Sequence, residues 1–224
     1  MRPTAERGAV ADALDIAVVR LPRISNFTDL DALAIEPGVS VRLVDHPAAL
    51  GDPDLVVLPG SKATVADLDW LRGRGFDRAI ARTDVIVLGI CAGYQMLGQR
   101  ICDDVESGRG TVEGLGVLDA ETAFAAEKVT RQRRGVAMGQ RVSGYEIHPG
   151  DDGAVDSSAG ALGTALHGLF EEDAFRAAFL IEVARRRGKT FVPAGVSFSA
   201  AREAQFDRLA DLVDAHLDLQ AVLA

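Results

Sequence analysis

Short apolar runs alternate with helical segments along the first hundred residues. Residues 16–21, 55–58 and 85–88 form such runs, each followed by proline or glycine, and residues 39–44 alternate as an edge-like strand does. Between them, Val65, Leu68 and Leu71 recur at helical spacing after Ser61, which we expect to cap that helix. A shorter helix is expected through Met96. Strands that alternate with helices predict an α/β fold with a doubly wound, mostly parallel sheet.

The pattern is weaker in the second half of the chain. Residues 122–124, 136–138 and 141–147 look like antiparallel strands appended to the sheet. Residues 161–166 predict a last central strand, and residues 172–187 predict a helix. A final amphipathic helix is expected over 201–219, and its apolar stripe is expected to pack into the core. The stripe consists of Phe206, Leu209, Leu212, Val213 and Leu217.

Length and composition favour one globular domain. The chain has 224 residues, of which 48% are hydrophobic and 25% charged. We interpret residues 1–14 as a disordered tail or linker and residues 15–224 as the folded domain. A net charge of −9 disfavours nucleic-acid binding, and no apolar run approaches the roughly 18 residues of a membrane span. Two cysteines without zinc-site spacing predict a reducing, cytoplasmic setting and no metal site.

Glycine-rich segments of the chain do not complete a nucleotide-binding motif. Gly93 and Gly98 have the spacing of a phosphate loop, but Gln99 and Arg100 follow where Lys and Ser or Thr are needed. The later sequence Gly188-Lys-Thr lacks the first glycine, because Val183 occupies its position. The sequence therefore predicts that this chain has no nucleotide site of its own.

A cysteine stands between a predicted strand and a predicted helix, in the sequence Gly89-Ile-Cys91-Ala-Gly93. This spacing is typical of a nucleophile elbow, a sharp turn whose glycines allow close backbone approach and whose central side chain projects at the sheet edge. The N-terminus of the following helix lowers a thiol pKa, and its N–H groups can hold an oxyanion. The alternative is a structural cysteine that packs as a small apolar side chain.

A thiolate nucleophile needs a base, and His167 is the best placed of the four histidines. His46 follows a strand in a polar stretch, and His216 lies inside the terminal helix. Both are expected to be surface or core residues, which leaves His148 and His167. His167 follows the predicted strand 161–166, at the same carboxyl edge of the sheet as Cys91. The sequence therefore predicts a Cys91/His167 pair.

These residues resemble those of the class I glutamine amidotransferases, whose fold is flavodoxin-like. The resemblance rests on residues 89–95, Gly-Ile-Cys-Ala-Gly-Tyr-Gln, together with the later histidine. Further segments are similar to the C-terminal glutaminase domain of the cobyric acid synthase family. They are residues 19–29, 58–64, 67–71, 114–118, 144–148, 163–171 and 207–211.

The resemblance implies half of a two-part enzyme. The glutaminase half hydrolyses glutamine, and a synthetase domain absent from this chain uses the ammonia, with ATP and Mg²⁺, to amidate adenosylcobyrinic acid a,c-diamide to cobyric acid. Glutamine and that domain would be the partners, and no cofactor is expected in this chain. Two alternatives remain open: a glutaminase subunit of a peptidoglycan (lipid II) amidating complex, and a thiol hydrolase of the same superfamily.

The resemblance also implies roles for individual residues. Cys91 would be the nucleophile, and His167 would accept its proton and pass one to ammonia. The N–H groups of Gly60 and Ala92 would form the oxyanion hole. Gln95 and Tyr145 would support or contact the glutamine.

The third triad position departs from the pattern of the wider class. That class has a carboxylate two positions after the histidine, where this chain has Leu169. Glu171 lies four residues after His167 and Glu146 lies near His148, but each suits a surface or capping role. We therefore expect a Cys/His dyad in which the backbone or a water molecule holds the histidine.

Overall fold

The computed structural model describes residues 12–126, 130–146, 155–158 and 160–217. The strands are β1 (Leu14–Val19), β2 (Val39–Val44), β3 (Leu55–Leu58), β4 (Ile86–Ile90), β5 (Arg100–Asp103), β6 (Gly110–Glu113), β7 (Glu121–Ala123), β8 (Arg131–Ala137), β9 (Gln140–Glu146), β10 (Asp156–Ser157) and β11 (Ala161–Thr164). The helices are α1 (Thr28–Ala34), α2 (Thr64–Arg74), α3 (Phe76–Ile80), α4 (Ala92–Leu97), α5 (Asp173–Arg186) and α6 (Phe198–His216).

A six-stranded sheet in the order β10-β11-β4-β3-β1-β2 forms the centre of the molecule. All its pairings are parallel except that of the short edge strand β10 with β11. The parallel part has the strand order of flavodoxin-like folds, in which ligands bind beyond the carboxyl ends of the strands. This confirms the predicted doubly wound, mostly parallel α/β class.

Both faces of the sheet are covered, because successive residues of a strand point to opposite sides. Ile16, Val57 and Leu88 join a core with α1 and α5. Ala17 and Val87 join the opposite core with α2, α3 and α4. The inner strands β3 and β4 are therefore apolar without alternation, as parallel strands buried on both faces are.

Two smaller sheets replace the antiparallel extension expected between residues 122 and 147. Strands β6, β5 and β7 form one of them, and β7 runs parallel to β5. Strands β8 and β9 form a separate antiparallel hairpin. The segments are strands, as predicted, but within the described ranges they do not join the central sheet.

Three local predictions are wrong in detail. Residues 12–14 belong to the fold, since β1 starts at Leu14 and the Asp12 N–H donates to the Thr190 carbonyl at 2.8 Å. The rest of the predicted tail lies outside the described residues. Ser61 does not cap α2, because the N-cap position before Thr64 is Ala63; the Ser61 hydroxyl accepts the Ala63 N–H at 3.0 Å and donates to Asp67 at 2.6 Å. The apolar stripe of α6 is exposed and does not pack into the core.

Candidate active site

Cys91 lies at the sharp turn between β4 and α4. Its backbone has φ 51°, in the left-handed region that non-glycine residues seldom adopt. A Cβ atom on Gly93 would stand 1.9 Å from the Leu58 carbonyl oxygen, and one on Gly89 would stand 2.7 Å from the Gly93 backbone. Both glycines are therefore sterically required, as the nucleophile-elbow interpretation predicts. The turn leaves the Cys91 side chain half-buried at the carboxyl edge of the sheet.

His167 reaches the same edge from the neighbouring strand β11. Reciprocal backbone hydrogen bonds with Tyr145 of β9, at 2.9 and 3.0 Å, hold its main chain. Its side chain is 1% exposed, and the Cys91 side chain is close enough to raise the pKa of its ring. The structure therefore brings the predicted nucleophile and base together.

A carboxylate holds this histidine, so the expected backbone or water partner is wrong. Asp29 Oδ2 lies 2.6 Å from His167 Nδ1, and the other carboxylate oxygen accepts the Gly168 N–H at 2.7 Å. Asp29 is in the first turn of α1 and is itself buried. Glu171 instead pairs with Arg202, and Glu146 pairs with Arg133. Cys91, His167 and Asp29 are arranged like a nucleophile–base–acid triad, and their catalytic roles stay a prediction.

Asn26 contacts the other ring nitrogen of the histidine. Its Nδ2 lies 3.1 Å from His167 Nε2, and its own backbone is left-handed with φ 51°. When the ring is neutral and carries its proton on Nδ1, facing Asp29, the amide N–H can donate to Nε2. That tautomer leaves the Nε2 lone pair to accept a proton, as a general base requires.

The charges around His167 favour its protonated form. Burial lowers its pKa, but hydrogen bonds to Asp29 and Cys91 and the charges of both groups outweigh burial. Together they raise the pKa of His167 from 6.5 to about 9. A base with a raised pKa holds the proton of the nucleophile more strongly, which favours the imidazolium that forms during thiol attack.

The two predicted oxyanion donors flank Cys91 on adjacent elements. Ala92 is the first residue of α4, where the N–H groups of a helix lack intrahelical partners. Gly60 follows β3, and its carbonyl accepts the Ser25 N–H at 2.9 Å. A Cβ on Gly60 would lie 2.9 Å from the Ser25 carbonyl oxygen and 3.4 Å from the His167 ring. Only glycine fits without displacing these groups, and the oxyanion role itself stays a prediction.

Gln95 and Tyr145 occupy different parts of the site. The Gln95 side chain is buried, and its Oε1 accepts a hydrogen bond from the Thr64 hydroxyl at 3.1 Å. This bond ties α4 to α2 and indicates a supporting position. The Tyr145 ring lies 5.3 Å from the His167 ring, centroid to centroid. Burial raises the Tyr145 pKa, as do the negative charges of Asp29, Glu171 and Cys91.

Cys102, His46 and His216 are not brought to this edge. Cys102 lies in β5 and not at the end of the elbow helix, with its Sγ 3.5 Å from the Thr111 hydroxyl of β6. His46 contacts Asp45 at 2.7 Å on the surface, and His216 is the last residue of α6. His148 lies outside the described residues.

Sequence reasoning missed Asp29 and Asn26, although both follow the carboxyl end of β1. Asp29 is separated from His167 by 138 positions, so no local spacing connects them. Their position in the chain could have indicated them, because polar residues that follow a central parallel strand lie at the ligand-binding edge of the sheet. The described part of the chain holds no group of three or more His, Cys, Asp or Glu side chains that could bind a metal ion.

Solved structures with this architecture include a glutamine amidotransferase with a TM-score of 0.58 and 17% identity. That similarity covers 75% of this chain and 97% of the other. PurLQS from Thermotoga maritima matches with a TM-score of 0.50 and 16% identity, over 76% of this chain and 99% of the other. These likenesses support the fold. No helix in the described ranges has the length and apolarity of a membrane span.

Relatives found by sequence identify a narrower family than the structural likenesses do. The chain is 53% identical to the cobyric acid synthase of Rhodococcus jostii, over 94% of this chain and 45% of the relative. It is 50% identical to that of Mycobacterium marinum, over 99% of this chain and 47% of the relative. The chain thus spans a little under half the length of these relatives. A model of the CobB/CobQ-like glutamine amidotransferase domain matches residues 15–175. The chain belongs to the CobB/CobQ-like glutamine amidotransferase family.

Proposed function

We propose that this chain hydrolyses glutamine through Cys91 and delivers the ammonia to an ATP-dependent synthetase. The observation that carries the proposal is the position of Cys91 beside the buried His167. The Nδ1 atom of that histidine is hydrogen-bonded to Asp29. Nucleophile, base and orienting acid are thereby arranged in the order that acyl transfer from an amide needs.

The reaction follows from this geometry. Cys91 Sγ attacks the side-chain carbonyl carbon of glutamine, and His167 Nε2 takes the thiol proton. The oxygen of the tetrahedral intermediate accepts hydrogen bonds from the N–H groups of Gly60 and Ala92. His167 then gives its proton to the departing nitrogen, the C–N bond breaks and ammonia leaves, and the γ-glutamyl group remains as a thioester on Cys91. Water, activated by His167, hydrolyses the thioester to glutamate and restores the thiol.

The acceptor is inferred from the relatives. Proteins about half identical to this chain are named cobyric acid synthase. This supports amidation of adenosylcobyrinic acid a,c-diamide to cobyric acid, in cobalamin biosynthesis. ATP and Mg²⁺ would bind to the synthetase half. The same relatives favour this acceptor over the peptidoglycan precursor lipid II.

Ammonia transfer distinguishes an amidotransferase from a thiol hydrolase. We would combine this chain with its synthetase half and supply glutamine labelled with ¹⁵N in the side-chain amide. The label should enter the corrinoid amides. A Cys91→Ala variant should lose this transfer but still amidate the corrinoid when ammonium salts are supplied, since the synthetase is untouched. Amidation from glutamine by the variant, or hydrolysis without ¹⁵N transfer by the wild type, would contradict the proposal.

A further inference from the structure

The terminal helix α6 leaves a large apolar surface uncovered. Only Phe198 of its 19 residues is buried. Five large apolar side chains remain 37–57% exposed: Phe206, Leu209, Leu212, Val213 and Leu217. Phe206, Leu209 and Val213 follow the spacing of one helical face, and Leu217 directly follows the end of the helix. A helix of this kind gains most of its stability by packing that face against a partner.

The start of α6 is nevertheless firmly attached to the domain. The Asp173 carboxylate accepts the Phe198 N–H at 2.9 Å, and Arg176 donates to the Val196 carbonyl at 2.6 Å. One turn into the helix, Arg202 pairs with Glu171 at 2.8 Å. The exposed stripe is therefore carried on a helix whose direction is fixed at its root.

A groove of about 620 Å³ runs between α6 and α1. Phe198, Phe206 and Leu209 line one wall, and Ala34 and Ile35 line the other. The groove is mainly apolar, and the stripe continues it along α6. Together they offer the contiguous apolar surface that is typical of a protein interface.

The comparisons indicate what covers this surface. The glutaminase family model ends at residue 175, before α6 begins. Cobyric acid synthases of Mycobacterium match 99% of this chain, so their similarity extends through α6. More than half of each relative lies outside the matched part. Helix α6 is thus shared with two-part enzymes but lies outside the region that the family model matches.

We infer that the apolar stripe of α6 and its groove with α1 form the docking surface for the synthetase half, a proposal that rests on the proposed function. The surface adjoins the segments that hold His167. Thr28, at the edge of the groove, precedes the triad acid Asp29 on α1. Glu171, which pairs with Arg202 of α6, lies in the turn that follows His167. A partner seated in the groove would contact both segments.

Amide hydrogen exchange tests the docking directly. We would compare this chain alone with the same chain combined with its synthetase half, on one polypeptide or as separate subunits. The amides of α6 should exchange at least tenfold more slowly in the combined protein. A Phe206→Glu/Leu209→Glu variant should weaken association of separate halves at least tenfold. Leu43→Glu is the matched control, because Leu43 is 56% exposed on β2, outside the groove.

Each of the following results would overturn the inference. Equal exchange of α6 in both samples would mean that the synthetase half does not cover it. Protection in the chain alone that grows with concentration would identify a second copy as the occupant. Equal weakening by the control would remove the specificity of the surface. Labelling of Cys91 by a glutamine-like diazo ketone is measured in the same samples, so a failed docking surface is distinguished from a failed glutaminase assignment.

Discussion

Replacing Asp29 with asparagine should disable the site while preserving its shape. The Asp29 carboxylate accepts one hydrogen bond on each oxygen, from His167 Nδ1–H at 2.6 Å and from the Gly168 N–H at 2.7 Å. An asparagine has only one acceptor oxygen. Because the Gly168 N–H can only donate, it should donate to that oxygen. The amide NH₂ of the asparagine then faces His167 Nδ1. The ring must then carry its proton on Nε2, where it cannot accept one from Cys91.

The magnitude follows from two contributions. The rise of the His167 pKa from 6.5 to about 9 corresponds to about 3 kcal/mol, or roughly 300-fold, in favour of the imidazolium. Cys91 supplies part of this shift, and Asp29 supplies the rest. The wrong tautomer adds to the loss, and removing a triad acid in this way costs about 10⁴-fold in turnover. We therefore expect Asp29→Asn to lower glutamate release by well over tenfold and by up to about 10⁴-fold.

The assay measures glutamate release from glutamine and the rate at which a glutamine-like diazo ketone labels Cys91. Asp31→Asn is the matched control, because Asp31 lies on the exposed side of the same helix. It should retain wild-type rates, and circular dichroism should show both variants folded. A folded Asp29→Asn chain within tenfold of wild type would refute the triad.

Three further predictions follow from the same geometry. Glu171→Gln should cost less than about tenfold in glutamate release, since its carboxylate pairs with Arg202 at 2.8 Å; a loss near 10⁴-fold would make Glu171 the triad acid. Gly93→Ala should lower the free energy of unfolding by about 3 kcal/mol or more, because its Cβ would overlap the Leu58 carbonyl, whereas Gly73→Ala, with no atom within 4 Å, should be neutral or stabilising in thermal melts. The imidazolium of His167 should stabilise the fold most below its unfolded pKa of about 6.5 and lose this effect as pH rises through about 9. Denaturant titrations should then show the difference between wild type and Asp29→Asn shrinking from pH ~7 to ~10, and a constant difference would contradict the pKa assignment.

The elements that the sequence predicted well are those fixed by local sterics and burial. Strands β3 and β4, and β1 from Ile16 onward, are continuous apolar runs because both of their faces are covered. The elbow could be predicted because two glycines at fixed spacing serve one close approach of backbone to backbone. His167 could be placed because it follows a strand of the same sheet as Cys91.

The features that the sequence did not predict depend on distant partners. The acid that holds His167 comes from α1, at the opposite end of the chain, and not from the residues after the histidine. Ser61 is a residue type that often caps helices, but here its hydroxyl donates a hydrogen bond to the Asp67 carboxylate. The stripe of α6 shows that one face of the helix can be buried, but periodicity does not show whether the covering surface belongs to the same domain.

Site-specific labelling of cysteine tests the central claim most directly. The chain would be incubated with a glutamine-like diazo ketone, digested, and examined by mass spectrometry for the modified cysteine. A single adduct on Cys91 is expected, with glutamine slowing its formation. Cys102→Ala should label normally, because its thiol lies in β5 beside Thr111, away from His167. An adduct on Cys102, or continued labelling of a Cys91→Ala chain, would contradict the assignment of Cys91 as the nucleophile.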